Sequence, residues 1–272
     1  AACYEAFELA GRHSPLHTDD LDAFAFAAWR LGHIKESSRA AERVFAELTR
    51  ADPIAAAMKA NELALAWLVR GGDVNIGQGW MSRARRLLAD TDESPAHGYL
   101  AYLDAVVAAV SEDLDALSVH ARALREMGTR LEAPAVTALS LIAGGIDAIL
   151  QARTADGYAL LDEAILPLLA DQVPIEWAGD IYCMVLHHCH KLADLPRMRT
   201  WTQSMEQWCG LSGSVPYGGG LRRAPTAGAG GHRRLPRPGE SARACQPGAR
   251  GGQRLGSRRG LLPTRRGAAA AG

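Results

Sequence analysis

Between Cys183 and His190 the chain gathers Cys183, His187, His188, Cys189 and His190, the residue types that hold soft metal ions. On a helix Cys183 and His187 stand four apart, and His187 and His190 three apart. Those three would share a face and could offer sulfur and imidazole nitrogen to zinc. A structural zinc site draws four ligands from more than one element, however, and no C-x-x-C pair or H-E-x-x-H phrase supplies the rest. Catalytic pairings fare no better. His120 and the acidic pairs Glu112-Asp113 and Asp162-Glu163 fall inside helical patterns, with no Gly-rich elbow or serine-centred motif nearby. Gly71-Gly72 and Asn75-Ile76-Gly77 follow no strand and precede no Lys-Ser/Thr, so they read as turns rather than a phosphate cradle. The expectation is a protein with no metal and no cofactor that is not an enzyme.

The elements that carry these residues are helical. From Ala1 to about Gly210, Ala, Leu, Glu and Arg dominate, and apolar residues recur at spacings of three and four without strand-like alternation. His17-Thr18-Asp19-Asp20, Thr91-Asp92-Glu93-Ser94-Pro95 and Asp171-Gln172-Val173-Pro174 mark helix starts through cap formers or Pro ahead of an apolar-periodic segment. Internal repetition is visible as well. Phe24-Ala25, Ala28 and Leu31-Gly32, followed by Ile34, Ser37, Ala41 and Val44, suit a pair of closely crossing helices. Leu63-Ala64, Trp67, Gly71-Gly72, Gly77, Met81 and Ala84 repeat the phrase with one extra residue at the turn. Further passes run from Tyr99 to Leu124, from Thr137 to Ala164 and from Ile181 to Cys209, with a period nearer 40 than 34 residues. The expected fold is all-α: a degenerate tetratricopeptide-like (TPR-like) solenoid of antiparallel helix pairs, each burying its apolar face against its neighbours.

Charge divides the chain. Lys+Arg (30) equals Asp+Glu (30), yet Gly218–Gly272 holds twelve Arg and a single acid, Glu240. Residues 1–217 therefore carry −11 and residues 218–272 +11. An acidic body is a poor nucleic-acid binder, so direct DNA binding by this segment is not expected. Five scattered cysteines imply no disulfide framework, and a reducing cytoplasm is the expected location. Asp104 and Asp147 interrupt the longest apolar runs, so no membrane span is expected either. The opening Ala points to a processed or truncated chain.

A resemblance adds to this reading. GWMSRARRLLADT (Gly79 to Thr91), HGYLAYLDA (His97 to Ala105), GYALLDEA (Gly157 to Ala164), IYCMVLHHCHKLAD (Ile181 to Asp194) and RTWTQSMEQWC (Arg199 to Cys209) are similar to the TPR-like region of large actinobacterial LuxR-type transcriptional regulators. The resemblance implies a regulatory or interaction domain that lies ahead of a helix-turn-helix DNA-binding domain. It implies a protein or peptide partner, another domain of the parent regulator, or a small-molecule effector. The competing expectation is a free-standing interaction scaffold. No recognition helix, cyclase domain or Walker-type loop is present in the sequence, so those activities do not carry over. The resemblance also makes Cys183 and Cys189 packing positions and sets His187, His190 and Lys191 on the inner surface of the solenoid. In the same frame Phe26, Trp29 and Arg30 of the first repeat, and Asn61, Leu65 and Leu68 of the second, face inward, whereas Trp80, Trp201 and Trp208 fall on second helices as core or inter-repeat contacts.

Past Tyr217 the composition changes to Gly, Arg, Pro and Ala, with half of all 28 glycines in residues 218–272. One reading is a disordered basic tail. The other, which we prefer, is a slipped reading frame in GC-rich coding DNA. Shifted by one nucleotide, the codons for Leu261 to Gly267 and the following alanines can encode Tyr-Tyr-Gln-Leu-Gly-Glu-Val-Arg-Arg-Arg. Those for Leu221 to Pro225 can encode Cys-x-Val-His-Arg. Residues 1–217 are thus expected to be the repeat domain and 218–272 an out-of-frame, disordered tail.

Overall fold

The computed structural model describes residues 2–71 and 73–212, and every regular element among them is a helix. The expectations for the tail fall outside the described residues. After α1 (Ala2–His13) the helices come in pairs: α2 (Thr18–Leu31) with α3 (Ile34–Ala51), α4 (Pro53–Leu65) with α5 (Val74–Leu88), and α6 (Pro95–Val110) with α7 (Leu114–Leu131). These are followed by α8 (Pro134–Leu150) with α9 (Thr154–Glu163), the short α10 (Ile165–Leu169), and α11 (Ile175–Lys191) with α12 (Leu195–Ser212). All three expected helix starts fall where the cap signals put them, at α2, α6 and α11. The five pairs coincide with the five passes of the repeat.

The turn inside four of the five pairs is built the same way. Gly32, Glu112, Ala152 and Ala193 take left-handed backbone, with φ of 84°, 58°, 62° and 53°. At Gly32 the N–H donates to the Trp29 carbonyl (3.0 Å) and the next N–H, of His33, reaches back to Ala28 (2.9 Å). The same two bonds recur at Glu112 and Asp113, at Ala152 and Arg153, and at Ala193 and Asp194. This double closure satisfies the last carbonyls of the first helix and reverses the chain. The residue that then opens the second helix is His33, Asp73, Asp113, Arg153 or Asp194, in steps of 40, 40, 40 and 41. Asp73, Asp113 and Asp194 cap it by accepting from the N–H of Ile76, Ala116 and Arg197 at 3.0–3.1 Å.

The second pair accommodates its extra residue in a specific way. α4 runs on as a π-helix, Ala66–Gly71, whose wider hydrogen-bond spacing takes up one inserted residue without breaking the rod. Elsewhere the helices approach closely because small residues allow it. A Cβ on Gly157 would lie 2.7 Å from the Gly145 carbonyl oxygen and 2.6 Å from Ile149, so α8 and α9 touch nearly backbone to backbone.

Packing runs along the array as well as within the pairs. First helices rest on first helices, α4 on α6, α6 on α8 and α8 on α11. One apolar core extends without interruption from Trp29 to Met205, and a small satellite of Leu21, Ala25, Ala40 and Val44 sits between α2 and α3. Trp80 and Trp201 are buried in the large core, and Trp208 packs against its edge. α1 contributes no buried residue.

Candidate functional site

The positions singled out from the sequence lie on the first helices, at matched distances ahead of each second-helix start. Phe26, Ala66, Val106, Ile146 and His187 occupy one register, and Trp29, Val69, Ala109, Ile149 and His190 another. The two ends of the array differ from its middle. His187, His190 and Lys191 are exposed at the end of α11, whereas Val106, Ile146 and Ile149 are buried in the common core. On α2, Phe26 is half-buried and stacks on Trp29 at 5.9 Å, and the Arg30 guanidinium lies 5.6 Å above the Phe26 ring. Trp29 itself is only 5% exposed and belongs to the core shared with α4.

Asn61 is 0% exposed, and its amide donates to the Ala96 carbonyl at 2.9 Å, tying α4 to the start of α6. Its side-chain oxygen has no hydrogen-bond partner among the described residues. Leu65 is buried and Leu68 partly buried against the same core. The structure therefore brings Phe26, Trp29 and Arg30 together, and His187, His190 and Lys191 along one stretch of α11. It places Trp29 and Asn61 between helices rather than at an open surface.

The middle of this face is braced by the chain's own residues. The Tyr102 hydroxyl of α6 donates to Asp180 of α11 at 2.7 Å, with both side chains buried. Tyr99 of α6 meets Trp177 of α11 with ring centroids 4.5 Å apart. These contacts join the third pair to the fifth, past α8. An open trough would keep those helices apart, so the array must curl tightly enough for them to touch. Nothing in the spacing of apolar residues announced this. The signal available was Asp180 itself, a lone acid in the otherwise apolar run Trp177 to Val185.

Charged side chains of α2, α4 and α11 also influence one another. Lys59 of α4, 12% exposed at its side chain, pairs with Asp22 of α2 at 2.7 Å and with Glu62 of its own helix. Burial works against the Lys59 ammonium, yet Glu62 and Asp22 more than offset it and hold its pKa above the usual lysine range. Glu176, in the first turn of α11, feels Glu62, Lys59 and Asp22 across this face, and burial followed by repulsion from Glu62 pushes its carboxyl up to about 7.

The cysteine and histidine cluster resolves into separate environments. Cys189 and His188 are buried, Cys183 is half-buried, and His187 and His190 point outward. Burial, with His187 and Lys191 nearby, pushes His188 down to about 4, so it stays a neutral packing residue at physiological pH. Among the described residues no group of three or more His, Cys, Asp or Glu is arranged to hold a metal ion.

A cavity of about 460 Å³ opens between α9, α10 and the start of α12, lined by Asp162, Ile165, Asp194, Pro196, Arg197, Thr200 and Trp201. Its charged groups already answer one another. Arg197 pairs with Asp162 and, at 3.4 Å, with Asp194, while its guanidinium covers the Tyr158 ring at 4.1 Å. The Trp201 indole N–H donates to Asp162 at 3.2 Å. This arrangement fastens the fourth pair to the fifth. Asp162, expected only to carry helix-surface charge, is one of its anchors.

No family model matches the chain, and neither a curated protein nor a solved structure matches it. Among the described residues no helix is long and apolar enough to cross a membrane.

Proposed function

We propose that residues 1–217 are a TPR-like helical-repeat domain that recognises a protein or peptide partner, another domain of a parent LuxR-type regulator, or a small effector. The observation that carries this reading is the spacing of the second-helix starts by 40 or 41 residues through all five pairs, with the same double closure of the turn in four of them, since serial helix pairs of this kind serve as recognition surfaces. The step from repeat to regulator rests on the sequence resemblance. Recognition would fall at the ends of the first-helix face, on Phe26 and Arg30 and on His187, His190 and Lys191, because the middle is taken up by Tyr99, Tyr102, Trp177 and Asp180. Binding there would bias the packing of the pairs and so the activity of an attached output domain, in the cytoplasm and without chemistry of its own.

Sequencing the coding region past the Tyr217 codon in both frames tests the regulator. A helix-turn-helix segment in the shifted frame supports it, while early stops in both frames favour the free-standing scaffold. In a reporter strain carrying the uninterrupted regulator, the double variant His187→Ala, Lys191→Ala should fold normally and lose most of the transcriptional response. A response at full strength would remove these residues from the recognition surface.

A further inference from the structure

The cavity between α9, α10 and the start of α12 holds more negative charge than its base cancels. Asp162 and Asp194 both stand in its wall, and Arg197 is the one base among the lining residues, so two carboxylates against one guanidinium leave −1. Glu163, beside Asp162 in sequence, is exposed and makes no ion pair among the described residues. The rim is apolar. Leu166 and Leu169 of α10 and Leu195 of α12 are 61%, 67% and 52% exposed. Ile165 of the wall directly precedes Leu166 and stands one helical turn before Leu169, while Leu195 lies between Asp194 and Pro196, both of the wall. We propose that this cavity and its leucine rim form a docking site for a partner peptide, which inserts one lysine or arginine between Asp162 and Asp194 and lays its flanking apolar residues on the leucines.

Hydrogen-bonding capacity sets the charge of the guest. Asp162 accepts from the Trp201 indole on one oxygen, at 3.2 Å, and from Arg197 on the other. Asp194 accepts from the Arg197 backbone N–H at 3.1 Å on one oxygen and from its side-chain Nε at 3.4 Å on the other. A carboxylate oxygen accepts two hydrogen bonds, so each of the four keeps one position for a further donor. The two side chains are 48% and 29% exposed, and an arriving ammonium or guanidinium reaches them with the wall intact. An anionic guest would instead meet the net negative charge, and the Arg197 guanidinium is already shared between both acids. Ile165 and Pro196 give the methylene stem of a long cationic side chain an apolar surface to lie along.

The rim decides between a peptide and a small amine. A free amine filling about 460 Å³ would leave the three leucines in water, whereas a peptide with apolar residues beside its basic one covers them and answers the charge together. An occupant held in this way touches both the fourth and the fifth pair. The site uses none of the first-helix positions assigned above to recognition, so loss of the response in the His187 and Lys191 variant and loss of peptide binding here are separate results.

The test uses the full chain and calorimetry with an unlabelled peptide, Leu-Lys-Leu-Leu in a Gly-Ser frame. The twelve arginines of residues 218–272 repel this probe rather than hold it. Replacing its lysine by norleucine should weaken binding roughly tenfold, and Asp162→Asn should do the same. Asp162 also holds Arg197 and Trp201, so the second variant combines Leu166→Ser with Leu169→Ser, whose exposed side chains the fold does not need. It too should bind roughly tenfold more weakly. Val110→Ser, which removes an apolar side chain 70% exposed on α6, should bind like the unaltered chain. A carbodiimide, which joins an ammonium to a carboxylate in contact with it, should link the peptide lysine to Asp162 or Asp194. Absence of binding, or equal binding by the norleucine peptide or by the leucine double variant, would overturn the proposal. Butylamine binding as tightly as the peptide would assign the cavity to a small amine and overturn it as well.

Discussion

At the scale of single residues, the pair that matters most for the shape of the first-helix face is Tyr102 with Asp180. Both are buried, and their 2.7 Å hydrogen bond spans from α6 to α11. Removing the hydroxyl in Tyr102→Phe leaves the carboxylate oxygen without its donor in a place water does not reach. The expected cost is about 1.5–3 kcal/mol, the range for hydrogen bonds involving a carboxylate, read from the urea unfolding midpoint. A loss under roughly 0.5 kcal/mol would mean that other groups satisfy Asp180 unaided. The residues picked from the sequence for chemistry, Cys183 and the histidines, do not converge, because a continuous helix sends His188 and Cys189 into the core and His187 and His190 outward. Asp180 was legible only as an anomaly in an apolar run. Its meaning depends on Tyr102, 78 positions earlier in the chain, and local spacing carries no information about such a pairing.

At the scale of elements, the turns test how far local chemistry governs the array. Gly32 supplies left-handed backbone freely, whereas Ala152 and Ala193 hold it against the crowding of their Cβ atoms. Ala152→Gly and Ala193→Gly should each stabilise the chain by about 0.5–1 kcal/mol, measured by thermal or urea unfolding. A destabilisation by either would show that the turn geometry is not strained. Helix crossings give the opposite case. Gly157→Ala gains about 1 kcal/mol of helix propensity but drives a methyl into the Gly145 carbonyl and Ile149, so a net loss of about 1–2 kcal/mol is expected. Gly79→Ala, where a Cβ meets nothing within 4 Å, should gain up to about 1 kcal/mol and serves as the control. The pairs themselves were readable because small residues and cap formers recur near a 40-residue step. The turns at Glu112, Ala152 and Ala193 lack the glycine that usually signals left-handed backbone, so in the sequence they are marked by the break in apolar spacing and, at Asp113 and Asp194, by the cap former that follows. The π-helical stretch had a faint signal, one residue too many between Trp67 and Gly71, but an insertion in sequence does not say whether a loop or a helix absorbs it.

At the scale of the whole molecule, the shared core sets this array apart from a chain of independent repeats. Where each repeat touches only its neighbours, removing a terminal pair leaves the others folded and lowers stability by one interface. Here Trp177, Ile181, Tyr182 and Val185 of α11 belong to the same core as Tyr99, Tyr102 and Ile142 of α6 and α8. A chain ending at residue 172 would expose those partners at once and leave the Tyr102 hydroxyl without Asp180. Such a truncation should unfold with a markedly broader, less cooperative transition and bind a hydrophobic dye at temperatures where residues 1–217 do not. Deleting α1 is the matched comparison. That helix buries none of its residues, and its Tyr4 stacks on Phe24 and His33 and bonds to Glu36. Its removal should cost no more than about 1 kcal/mol and leave the cooperativity unchanged. If both deletions prove equally mild, the fifth pair is only another repeat. If only the C-terminal one is severe, α11 is the element that closes the array, and its grip on α6 and α8 is where an effector would act with most leverage.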